Sequence, residues 1–164
     1  MRQKRSSHQY HSNHAILIEG TPVHPVLKSY FGYCLHKISS KMRSAFAVAL
    51  EEHNVMPHHY GILIVLRESG SLSQQELGLQ IGIDKASMVK IIDDLEALGF
   101  VSRKVSGADR RVNLIRMTSK GLRSLDKFSE IRQSVENEFM APLSVEERKT
   151  LKNLMGKLLL QQEA

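Results

Sequence analysis

With 164 residues, 41% of them hydrophobic, the chain has apolar material for one domain, or for one compact domain carrying a helical appendage. Aromatic residues are few, at 5% with no Trp, so Leu, Ile, Val and Met must fill the core, and no apolar run approaches the roughly 18 residues of a membrane span. The net charge of +6 gathers in two places: four cations against Glu19 in residues 1–28, and five against Asp109 in residues 100–116.

Two positive patches on an otherwise balanced chain point to a polyanionic partner, although surface Lys and Arg also serve solubility alone. The basic start is not followed by the apolar stretch and small-residue cleavage site of an export signal, so a cytoplasmic protein with no membrane part is expected. Cys34 is the single cysteine, which excludes an intrachain disulfide and a thiolate metal cluster within one chain.

Residues 1–24 are rich in Ser, His and Asn, lack apolar periodicity and end on Pro22 and Pro25; a disordered basic arm is expected. His8, His11 and His14 in it read as part of a solvated tail rather than as metal ligands. From about Val26 the pattern turns helical, with Phe31, Leu35, Ile38, Met42, Phe46 and Leu50 at three- and four-residue steps. Pro57 suits the first position of a second helix running to about Glu68, which Gly70 ends.

Ser73-Gln-Gln-Glu76 has the spacing of a capping box and opens a third helix, carrying Leu77 and Ile81, that stops at Gly82. After a tight turn Asp84 caps a fourth helix, whose apolar stripe is Met88/Val89, Ile92, Leu95 and Leu98 and whose end is Gly99. Residues 100–105 and 112–117 read as short strands around the turn-prone Ser106-Gly-Ala-Asp109 and the pair Arg110-Arg111. Asp93, Asp94 and Glu96 fall on the outer part of the fourth helix, solvated or facing this hairpin. Thr118 caps a long helix with Leu122, Leu125, Ile131, Val135 and Phe139, broken by Pro142. Ser144-Val-Glu-Glu147 opens a last helix with Leu151, Leu154/Met155 and Leu158.

Helix, tight turn, helix and basic hairpin, in that order, describe a winged helix-turn-helix. A helix fits the major groove of B-DNA, and its N-terminal residues reach the base edges. Lys85, Ala86, Ser87 and Lys90 occupy that position here: the lysines suit guanine or phosphate, Ser87 donates or accepts, and Ala86 can touch a thymine methyl. Ser73, Gln74 and Gln75 stand at a helix N-terminus, where free amides and hydroxyls favour phosphate oxygens. Arg110 and Arg111 would enter the minor groove from the hairpin tip, with Asp109 holding an arginine in register.

The run Asp84-Lys-Ala-Ser-Met-Val-Lys-Ile-Ile-Asp-Asp-Leu-Glu-Ala-Leu-Gly-Phe-Val-Ser-Arg, followed by Asp109-Arg-Arg111 and Met117-Thr-Ser-Lys-Gly121, resembles the MarR family of regulators over roughly residues 29–162. The resemblance implies a homodimer whose first and last helices interlock and whose wings straddle palindromic double-stranded DNA. It implies that Arg111 reads the minor groove with Asp109 as its partner, and that Ser73, Gln75, Ser87 and Lys90 face DNA. It also implies release by a small aromatic or phenolic effector, or in some members by oxidation or zinc. Independently, the apolar stripes on residues 29–50, 122–139 and 151–159 exceed what one small winged domain covers, so self-association through the terminal helices is expected.

The expected architecture is therefore mainly α with a small β-hairpin wing: a winged helix-turn-helix over residues 56–118, with helical dimerisation segments at 25–55 and 119–164. Cys34, near Tyr30, Tyr33 and His36, has neighbours suited to a redox-sensing thiol but lies outside the register of the redox-sensing relatives, so an inert buried thiol is expected. His53, His58 and His59 with Glu51 and Glu52 offer zinc-ligand chemistry, yet no i, i+4 pair sets two imidazoles on one helical face. His58 or His59 lining an effector pocket, or a plain surface role, is the better reading, and no cofactor is expected. No phosphate-binding loop, nucleophile elbow or paired catalytic carboxylates occur, so no enzymatic activity is expected. Two rivals remain: a winged-helix protein-interaction module and a non-specific architectural DNA binder.

Overall fold

The structure, a computed structural model, describes residues 24–105 and 113–160. The expected N-terminal arm lies outside the described residues except for His24. The chain divides into two compact units between His36 and Lys37, part-way along its first long helix.

In the first unit a 3-10 turn over Pro25–Ser29 precedes helix α1 (Phe31–Leu50). The helical pattern starts at Val26 in the sequence, but the α-helix itself starts five residues later. Ser29 closes the turn by donating its hydroxyl to the Val26 carbonyl at 2.7 Å, and Tyr30 is extended, interrupting the helical run. Cys34 is half-buried rather than buried, its thiol donating to the Lys28 carbonyl at 3.2 Å.

In the second unit the end of α1 buries Phe46 and Leu50. Helices α2 (Pro57–Ser69), α3 (Gln74–Ile81), α4 (Lys85–Ala97), α5 (Ser119–Phe139) and α6 (Val145–Leu160) follow. Strands β1 (Ser71–Ser73), β2 (Val101–Val105) and β3 (Asn113–Met117) form one antiparallel sheet in the order β1-β3-β2. The hairpin matches the sequence pattern. The edge strand β1 does not appear in that pattern, because three residues are too few to show alternation. It exists because Leu72 pairs opposite the fully buried Ile115 and so covers the free side of β3.

The core lies where α2, α4 and α5 meet the sheet. Ile62, Leu63 and Leu66 of α2 pack with Leu77, Met88, Ile92 and Leu95, and with Leu125 and Phe128 of α5. Full burial of each such side chain is worth roughly 1.5–3 kcal/mol. Phe100 and Phe128 meet edge-on, with centroids 5.8 Å apart. Tyr60 ties α2 to α5 by accepting from Arg132 Nε at 3.1 Å, and Arg132 in turn pairs with Glu136.

One junction fixes how α4 leaves the core. Lys120 of α5 donates to the Leu98 carbonyl at 2.7 Å, where the end of α4 has carbonyls to satisfy, and lies over the Phe100 ring. Thr118 caps α5 by accepting from the Gly121 amide at 3.0 Å and donates its own hydroxyl to the Gly99 carbonyl at 2.7 Å. The Thr-x-x-Gly spacing therefore serves tertiary contact as well as helix capping.

Helix α5 stops at Phe139, three residues ahead of Pro142, in keeping with the aversion of a pre-proline residue to α geometry. Ser144 and Glu147 then form the expected capping box, with Ser144 N–H to Glu147 at 2.8 Å and Glu147 N–H to Ser144 at 3.3 Å. Helix α6 buries none of its residues, and Leu154, Leu158, Leu159 and Leu160 are all at least half exposed. No described helix is long and apolar enough to cross a membrane.

Candidate nucleic-acid interface

The helix-turn-helix is built by three local devices. Ser73 Oγ accepts from the Glu76 amide at 3.2 Å while the Ser73 amide donates to Glu76 at 2.7 Å, so both ends of the predicted capping box form. The Glu76 carboxyl is held below its usual range by these Ser73 bonds. Gly82 then takes the left-handed conformation at φ 74°, which a residue with a Cβ adopts only with strain, and turns the chain within three residues. Asp84 starts α4, its carboxylate accepting from the Ser87 amide at 3.0 Å. Bonds from Ser87, hydroxyl and amide, keep the Asp84 carboxyl below its usual range.

These devices give α3 and α4 a common concave surface. A cleft of about 680 Å³ is lined by Gln74 and Gln75 from α3, Lys85 and Val89 from α4, and Gly82 and Ile83 from the turn. Lys85, Ala86 and Lys90 are exposed along α4, and Ser87 is half-exposed one residue on from Ala86. Gln75 is exposed as well, whereas Gln74 and Ser73 are half-buried, and the Gln74 amide nitrogen has no partner among the described residues. Ser73 and Ser87 are thus engaged in capping, and each keeps only part of its hydrogen-bonding capacity for a ligand.

Val89 belongs to this surface and not to the core stripe. It is 40% exposed, while Ile91, absent from the predicted stripe, is buried. Helical spacing separates the two: Val89 lies four residues from Lys85, Ile91 three from Met88.

The wing strands stand beside α4. Val105 and Asn113, the ends of β2 and β3, are paired. The segment between them, which includes the predicted DNA-reading Arg110 and Arg111 and their support Asp109, lies outside the described residues. Lys104 and Arg116 are exposed. Arg103, although part of the basic stretch, pairs with Asp93 and Glu96 of α4 and so adds no uncompensated charge.

His58 and His59 open α2 and differ in role. His59 is 4% exposed: its Nδ1 accepts from the Met56 amide at 3.1 Å, completing the start of the helix, and its Nε2 lies 3.9 Å from an Asp94 carboxylate oxygen without a hydrogen bond. Burial, helped by the neighbouring His58, pushes the His59 pKa down to about 4, so its imidazole is neutral at physiological pH. His58 is half-exposed, edge-on to His59 at 4.4 Å, and lowered in pKa by burial against the opposing pull of Asp94. His53 instead packs at 5.5 Å against the Phe128 ring. Among the described residues no three His, Cys, Asp or Glu side chains converge as a metal site.

Comparison with known proteins agrees with this geometry. Residues 53–112 match the family described as the MarR family. A Thauera aromatica protein named as a transcriptional regulatory protein for the hcr operon is 31% identical over 83% of this chain and 82% of its own length. An HTH-type transcriptional regulator of Bacillus subtilis, YdgJ, is 28% identical over 59% of each chain. In fold, a cysteine-to-serine mutant of MarR from E. coli complexed with operator DNA superposes with a TM-score of 0.70 at 22% identity, over 78% of this chain and 92% of its own. Bordetella bronchiseptica BpsR, whose DNA binding is regulated by 6-hydroxynicotinic acid, does so with a TM-score of 0.71 at 20% identity, over 84% and 97%.

Proposed function

The chain belongs to the MarR family of transcriptional regulators, and we propose that it acts in the cytoplasm as a sequence-specific repressor on palindromic double-stranded DNA. It is a regulator and not an enzyme. The observation that carries the DNA reading is the exposed start of α4, where Lys85, Ala86 and Lys90 face solvent and Lys85 lines one cleft with Gln75 of α3. Lysine and short side chains there suit phosphates and base edges of a major groove. Gln74, Ser73 and Ser87 add polar groups at the two helix starts, and Arg110 and Arg111, with Asp109, supply the minor-groove contact.

The functional unit is a homodimer. Support comes from apolar side chains left in water: Phe31 and Leu35 at the start of α1, and Leu154, Met155, Leu158 and Leu159 of α6. A two-fold axis would present two α4 helices to two half-sites. Release is by a small aromatic or phenolic compound, for which His58 and His59 are the candidate contacts. Their support is position, since His59 faces Asp94 on α4 and a ligand at the start of α2 would act directly on that helix. Cys34 is the candidate for an oxidant response.

A competition shift assay tests the reading. The dimer should prefer DNA selected from random sequence over bulk duplex by at least 10³, the lower end for specific regulators. Binding without preference would make it an architectural protein, and no binding would leave an interaction module.

A further inference from the structure

By charge and position Arg103 belongs with the cations of the wing, but its side chain is engaged within the protein. Strand alternation explains this. Arg103 is two residues from the buried Val101 and directly opposite the buried Ile115, so it starts from the core-facing side of β2, whereas Lys104 lies on the other face. From there one guanidinium nitrogen bonds Asp93 and another bonds Glu96, and the Arg103 backbone amide donates to the second Glu96 oxygen at 3.1 Å. Asp93 and Glu96 are three apart on α4 and therefore share a side of that helix. A planar fork that holds two carboxylates at once is a joint with defined geometry, which the single point charge of a lysine does not reproduce.

We propose that Arg103 is a positioning residue and not a DNA contact: with Asp93 and Glu96 it fixes the angle between the β2–β3 wing and the recognition helix. The acidic patch on a helix meant for DNA thereby acquires a purpose. Two carboxylates beside a phosphate backbone are repulsive unless a cation from the wing answers them, and the same cation sets the spacing of the two elements that enter adjoining grooves. This inference rests on the DNA-binding reading of α4 and the wing.

The test is binding of the full chain to its selected duplex and to random duplex over a range of salt, with thermal unfolding followed in parallel. A cation that touches phosphate contributes about 0.9 to the slope of log K against log salt. Arg103→Gln should lose preference for the selected duplex by about tenfold, the scale of a lost charged hydrogen bond, with the slope unchanged. Arg103→Lys should fail to restore it. The double variant Asp93→Asn/Glu96→Gln should also lose preference, although it removes negative charge near DNA. A slope reduced by about 0.9 in Arg103→Gln, full rescue by lysine, or tighter specific binding by the double variant would overturn the proposal. A wild-type chain with no preference would overturn the DNA-binding reading itself, before any variant is compared.

Discussion

Gly121 of α5 stands against the Phe100 carbonyl so closely that a β-carbon would overlap the oxygen and press on Met117 as well. The contact lies where α4, β2 and α5 converge, beside the Thr118–Gly99 and Lys120–Leu98 bonds. Gly121→Ala should force α5 off the sheet at a cost of about 1–3 kcal/mol or more. For a domain of this size that lowers Tm by about 3–10 °C in a thermal melt. An unchanged Tm would show that the helix is not seated there.

The buried His59 gives stability a defined pH dependence. Its folded pKa is about 4 and its unfolded value 6.5, so the folded state binds fewer protons and the stabilisation is complete above pH 6.5. It falls away as pH drops from 6.5 to about 4, by up to about 3 kcal/mol. His59→Gln keeps an acceptor that can reach back to the Met56 amide but does not titrate. Urea denaturation should show a flatter stability profile across that window for the variant, and an unaltered profile would mean that His59 is not the group responsible. Glu76, Asp84 and Glu147 have lowered values and lose their contributions only as pH falls below the ordinary carboxylate range, so the two windows separate.

Asp84 holds the first turn of the recognition helix. Asp84→Ala removes the acceptor of the Ser87 amide and should fray the start of α4 and lower Tm. Because that turn carries Lys85, Ala86 and Ser87, preference for selected DNA should fall more than affinity for random DNA. Equal losses on both would mean that the turn positions nothing sequence-specific.

Helix α6 should be an interface. Leu154→Glu/Leu158→Glu places two charges on its exposed apolar face and should convert a dimer to a monomer by sedimentation equilibrium. A dimer that survives both charges would put the two-fold contact elsewhere.

Much of this was legible in sequence because it is local. The caps at Ser73, Asp84, Thr118 and Ser144 depend on residues three apart, and all four form as read. Strand β1 depends on a partner some forty residues away, and three residues carry no period of their own. The burial of His59 was available: it lies three, four and seven residues before Ile62, Leu63 and Leu66, on their face of α2, but its polarity groups it with His58. Arg103 shows the opposite limit. Its charge places it with the DNA-facing cations, and only the inward face of β2 and the two acids of α4 together show that it is already paired. The functions of Asp109, Arg110 and Arg111 rest on their charge and place between the two wing strands and, for Asp109 and Arg111, on the family resemblance as well, since these residues lie outside the described part of the chain.

If the start of α4 enters the major groove, a photo-crosslinking residue in place of Ala86 lies within reach of the bases. Bound to the selected duplex, the dimer should crosslink to bases at two symmetrically related positions, one in each half-site. Retained specific binding with no base crosslinked from position 86 would mean that α4 does not read the groove.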